Sequence, residues 1–139
     1  DIRDIYEMRA LLESLCVKMA IENMTDDIMK QLEEIVDLSM YYKEKEKYEN
    51  IVGLDNRFHE LLYEAANSKM LRHTLSDFHH YVERIRNKTL ADKDRAMMAV
   101  NEHKEKLEAV KNKETKKAMQ LAEKHIINSI KNIEEKGLI

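Results

Sequence analysis

The chain has 139 residues, 37% of them charged and 43% hydrophobic, with a formal net charge of −3. That length suits one domain around one core, and the near balance of signs, with a pI of about 6.1, argues against a chain built as a whole to grip nucleic acid. A single cysteine, Cys16, excludes an internal disulfide and fits a reducing cytoplasm, while no apolar run reaches the roughly 20 residues of a membrane span and no secretory signal opens the sequence.

There is no proline, only Gly53 and Gly137 interrupt the chain as glycines, and no segment alternates polar and apolar residues. Helix is therefore predicted throughout. In chain order the apolar periodicity predicts helices over about 2–22, 26–47, 51–66, 69–89, 94–111 and 115–135. The first is already in helical pattern at Asp1, so further chain is expected upstream. Thr25 caps the second helix, with Asp26 and Asp27 complementing its dipole. Its end, "YYKEKEKYEN", alternates in sign and reads as a solvated surface. Asn67-Ser68 separates the third helix from the fourth, Asp92 or Asp94 starts the fifth, and Asn112 ends it in a left-handed conformation. Short connections make successive helices antiparallel. The expected fold is all-α: an antiparallel bundle of about six helices forming one domain over 1–139.

The histidines sort by face. In "LDNRFHELLYEAANS", Asp55 and His59 stand one turn apart, beside the Phe58–Leu61 stripe. His103 shares the inward stripe of Ala99, Val100, Leu107 and Val110, and His125 that of Ala118, Leu121 and Ala122. His73 and His80 share a solvated face with Asp77, and His79 falls at a boundary. One inward histidine is ordinarily a core residue with a hydrogen-bond partner. Three of them plus an aspartate, on three helices, would cost about 1–3 kcal/mol each if left unpaired. A divalent metal in the core supplies a common partner, and neutral imidazole with carboxylate suits Zn²⁺ or Ni²⁺. A plain helical dimerisation module, with the histidines hydrogen-bonded in the core, is the alternative.

Enzyme readings fare less well. "HELLY" at 59–63 begins like a zinc-protease helix, but Tyr63 stands where its second histidine is needed. No Glu-x-x-His motif supports a di-iron bundle. A metal-dependent hydrolase stays open in principle, without an evident general base. Cys16, on the core face, reads as packing.

Four stretches taken in order, "DIYEMRALLES", "DNRFHELLYEAANS", "NEHKEKLEAV" and "AMQLAEKHI", resemble the effector-binding C-terminal domain of GntR-type transcription regulators of the FadR subgroup. The resemblance runs over essentially the whole chain. It implies a helical bundle that binds metal through Asp55, His59, His103 and His125, and a winged helix-turn-helix domain upstream that reads operator DNA. It also implies a homodimer. The open coordination positions of such an ion suit a small carboxylate effector. Arg9, on the stripe of Ile5, Leu12 and Cys16, and Arg86, one turn from Val82, are the candidate effector contacts. The other reading of Arg9 is a salt bridge to Glu13 or Glu60, and that of Arg86 is an exposed arginine.

Overall fold

A computed structural model describes residues 1–139. Six helices and one short 3-10 turn account for the chain: α1 Ile2–Asn23, α2 Asp26–Glu44, the turn Tyr48–Asn50, α3 Ile51–Ala65, α4 Lys69–Leu90, α5 Lys93–Lys111 and α6 Thr115–Glu135. There are no strands, and no helix is long and apolar enough to cross a membrane. α1 packs along α6, and α3 lies among α1, α2 and α4.

The helix starts follow side-chain chemistry. Thr25, Ser68 and Asp92 each accept a backbone N–H three residues on, at 3.2, 3.2 and 3.0 Å. Asp92, the earlier of the two candidates, is thus the cap of α5. Two boundaries differ from expectation. α2 ends at Glu44 rather than 47, because Glu46 turns left-handed (φ 57°) and closes the helix. Asn112 is not left-handed; its φ is −84°, and Lys113 takes the positive φ of 57°. The hydrogen bonds say why: Lys113 N–H reaches Val110 O and Glu114 N–H reaches Ala109 O. That pair places the left-handed residue two beyond the last helical one, whatever its identity. A β-carbon there costs roughly 1 kcal/mol. Lys113→Gly should therefore stabilise the domain by about 0.5–1 kcal/mol, read as a higher urea midpoint at unchanged slope.

The core is layered. The largest apolar cluster takes Cys16, Val17 and Ala20 from α1, Phe58 and Leu61 from α3, Leu71 and Leu75 from α4, Leu107 and Val110 from α5, and Ala118 and Ala122 from α6. Farther along the same helices, Ile5, Tyr6, Val82, Ile126 and Ile133 form a second cluster, and Ile51, Ala96 and Val100 a third. Between these apolar regions α1, α3, α4, α5 and α6 carry buried charged groups and imidazoles: Arg9 and Glu13, Asp55 and His59, His79 and Arg86, His103 and Lys106, then His125. A polar layer enclosed by apolar packing is where the folded chain spends stability on something other than folding.

Candidate metal centre

Asp55, His59, His103 and His125 are all buried, and one donor atom from each lies within 4.8 Å of the others. α3 supplies the first two at i and i+4, α5 the third and α6 the fourth. The imidazole centroids of His59, His103 and His125 are 4.7–5.3 Å apart. His103 Nε2 stands 2.5 Å from Asp55 Oδ1 and His59 Nε2 4.0 Å from the same oxygen. Donor atoms around one tetrahedral ion stand about 3.4 Å apart, so side-chain shifts on the order of an ångström would set the four donors around one ion.

Two observations test whether a cation fits these residues. His59 is 0% exposed, yet neither of its ring nitrogens has a hydrogen-bond partner. Glu13 Oε2, at 3.7 Å from Nδ1, is beyond hydrogen-bond reach. An enclosed imidazole with both nitrogens idle is what a coordinating ion would satisfy. The rings are also in the required protonation state. Burial lowers His59 to about 4, and burial followed by the Lys106 charge holds His103 well below its ordinary value. Burial, then His103 and Lys106, does the same for His125. Neutral rings keep a lone pair to give.

The surroundings are charged. Arg86, buried rather than exposed, lies against the Asp55 carboxylate, and its Nη1 sits 2.8 Å from Asn56 Oδ1 and 2.6 Å from His79 Nε2. Burial, then Arg9, lowers Arg86 to about 9, which leaves it cationic at neutral pH. His79 proves buried, its ring centroid 5.4 Å from that of His59, with burial lowering it to about 3. Arg9 is 1% exposed, lies 5.0 Å from the Tyr6 ring centroid, and pairs with Glu13 at 3.8 Å, the ion pair that was its other reading. Its Nε and Nη2 have no hydrogen-bond partner. Glu60 is engaged elsewhere, with Arg57.

Glu13, Glu102, Arg95 and Lys106 were not singled out as site residues by sequence reasoning. Tyr63 donates its hydroxyl to Glu13. Burial raises the Glu13 carboxyl, but His59, Arg9 and Lys106 outweigh it and hold the group well below the ordinary carboxylate range. Because His59 is itself neutral near pH 7, Arg9 is the standing countercharge there. Lys106, 1% exposed, holds its ammonium 5.3 Å above the Phe58 ring. Glu102 Oε1 lies 2.6 Å from His125 Nδ1. The spacing of Arg95 and Glu102, two turns apart on α5, was the available signal for that pair. Cys16 is packed against the Leu62 carbonyl, and burial pushes its thiol up, as suits a core residue. His73 and His80 are exposed, beside Asp77 and Glu83.

Two clefts of about 360 Å³ flank the layer. One lies between α3 and α4 behind His79, the other between α5 and α6 behind His125. A third space of about 10 Å³, near the size of one water, lies among Tyr6, Asp55, Arg86, Arg95 and Ser129.

Comparison with known proteins places the fold. A family model described as the FCD domain matches residues 4–128. An HTH-type transcriptional regulator of Bacillus subtilis (strain 168), YdhC, is 30% identical over 144 residues, covering 99% of this chain and 63% of that protein. The chain thus spans less than two thirds of that relative's length. The structure of E. coli McbR/YncC matches with a TM-score of 0.77 over 96% of this chain and 64% of that one, at 18% identity, which shows a shared fold. The chain belongs to the FCD domain family, the effector-binding C-terminal domain of GntR-family transcription regulators.

Proposed function

We propose that this domain holds one divalent ion, zinc or nickel, through Asp55, His59, His103 and His125, and senses a small organic acid for an intact regulator that binds operator DNA. The observation that carries the metal is His59, fully enclosed with neither ring nitrogen bonded beside three further inward donors. Once bound, the ion would offer a Lewis-acid contact to a carboxylate oxygen. The chain's own residues do the rest. Arg9 brings a buried guanidinium with idle donors, which an anion satisfies. Arg86 neutralises Asp55 from the side of His79 and Asn56 and is a second positive group, close enough to Arg9 to feel its charge. The enclosing apolar clusters keep bulk water away, which strengthens both contacts.

The intact protein, on this reading, carries a winged helix-turn-helix domain ahead of residue 1, works in the cytoplasm, and pairs as a homodimer to match two operator half-sites. The effector would act through unequal affinity for two arrangements of that dimer.

Calorimetric titration of small organic acids into metal-loaded, metal-free and Arg9→Ala protein tests the reading. A charge-assisted hydrogen bond contributes about 1.5–3 kcal/mol, so Arg9→Ala should weaken the effector by roughly 10- to 150-fold while metal content stays the same. Equal affinity in all three samples would remove both the ion and Arg9 from the pocket.

A further inference from the structure

The three histidines of the centre differ in how their outward ring nitrogen is held. His59 has no hydrogen bond at either nitrogen, and His103 leaves Nδ1 without a partner. His125 alone has a built contact, with Nδ1 2.6 Å from Glu102 Oε1. Glu102 is in turn clamped. The Arg95 guanidinium forks onto its two oxygens at 3.1 and 3.0 Å, and Asn128 Nδ2 donates to Oε2 at 2.9 Å. Arg95 Nη2 also reaches Ser129 Oγ at 2.8 Å, and that hydroxyl donates to the His125 carbonyl at 2.9 Å. The result is a closed circuit between α5 and α6, with Arg95 only 3% exposed.

We propose that Glu102, clamped by Arg95 and Asn128, is a positioning residue that fixes His125 as the Nδ1–H tautomer and leaves Nε2 as the atom offered to a divalent cation. Its purpose rests on the metal reading above; its geometry rests on the hydrogen bonds alone. An ionised carboxylate only accepts, so the proton must sit on the nitrogen that faces it. The neutral ring then has its lone pair on Nε2, away from Glu102. The bidentate Arg95 fork holds the carboxylate in one orientation, so the ring plane is set before any ion arrives. Metal-binding histidines generally need such an outer partner, and its loss typically lowers metal affinity by about 10- to 100-fold. His59 and His103 have no comparable clamp. His125 is accordingly the preset arm of the centre, and the other two are the arms that settle.

Glu102→Gln tests this, since the amide keeps the size but can also donate to Nδ1. Glu105→Gln is the control: it removes the same charge from an exposed residue of the same α5–α6 cleft. Two quantities are read on the full chain. Long-range ¹H–¹⁵N correlation spectra of the metal-free protein report the His125 tautomer, and competition with a chromophoric chelator reports zinc affinity. The expected result is Nδ1–H in the wild type, a tautomer mixture in Glu102→Gln, a zinc Kd raised about 10- to 100-fold in that variant, and a change within about threefold in Glu105→Gln. An unchanged tautomer in Glu102→Gln, or equal zinc loss in both variants, overturns the assignment. A wild type that binds no zinc overturns the metal reading separately. In that case the metal-free spectra still decide the role of Glu102, and an Nε2–H tautomer in the wild type defeats it.

Discussion

Saturating the purified domain with zinc or nickel should raise its melting temperature by roughly 15 °C, and a chelator should return it to the starting value. The size follows from mass action. An ion present at about 1,000 times its Kd adds about 4 kcal/mol to the folded state. For a domain of this length each kcal/mol moves the midpoint by about 4 °C. The donors sit on α3, α5 and α6, so the unfolded chain offers no comparable site and little of the effect is lost to binding there. His103→Ala should abolish the metal-dependent part of the melt, whatever it does to the metal-free midpoint through the cavity beside Phe58, whose ring centroid lies 4.3 Å away. Elemental analysis of the same samples should give one ion per chain. A midpoint indifferent to every divalent ion and to chelator would dismiss the centre.

Acid should begin to destabilise the metal-free domain below about pH 6.5, before most carboxylates titrate. The sign is set by two histidines. Burial lowers His59 to about 4 and His79 to about 3, against an ordinary value near 6.5. Above pH 6.5 neither state binds the proton, and the stability is fully present. As pH falls from there, the unfolded chain takes up protons that the folded chain refuses, and stability drops until the folded values are reached. Together the two rings remove roughly 6 kcal/mol by pH 4. That is comparable with the entire stability of many domains. His103 and His125, held low by the same burial, act in the same direction. Urea midpoints at pH 7.5 and 4.5 on chelated protein measure it. Equal midpoints would mean that these rings are neither enclosed nor neutral.

Much of the architecture was legible because helical periodicity is a local property. With no proline and apolar residues at helical spacing, the six segments could be drawn to within a few residues. The convergence of Asp55, His59, His103 and His125 was legible for the same reason, since each lies on the inward stripe of its own helix. What escaped notice depends on neighbours far away in sequence. Glu102 precedes His103 and points off that stripe, yet it meets His125 across the groove between α5 and α6. Lys106 shares the inward face of α5, but a lysine there reads as surface until the Phe58 ring is seen beneath it. His79 stands at a helix-face boundary that only the packing of α3 against α4 resolves. At the helix ends, Lys113 rather than Asn112 turns left-handed, because the count of residues in the closing hydrogen-bond rings outranks local preference.

α1 and α6 lie side by side with opposite direction, so Arg3 meets Glu134 near the two ends of the chain. α1 has 22 residues and neither glycine nor proline, which makes it a stiff rod about 33 Å long with no soft point along it. Arg9 and Glu13, the residues this rod contributes to the polar layer, stand about 12 and 18 Å along the axis from Asp1. Such a rod is held at both ends, by Cys16, Val17 and Ala20 in the large cluster and by Ile5 and Tyr6 in the second, so Arg9 and Glu13 sit on a beam supported on either side of the polar layer rather than on a free arm.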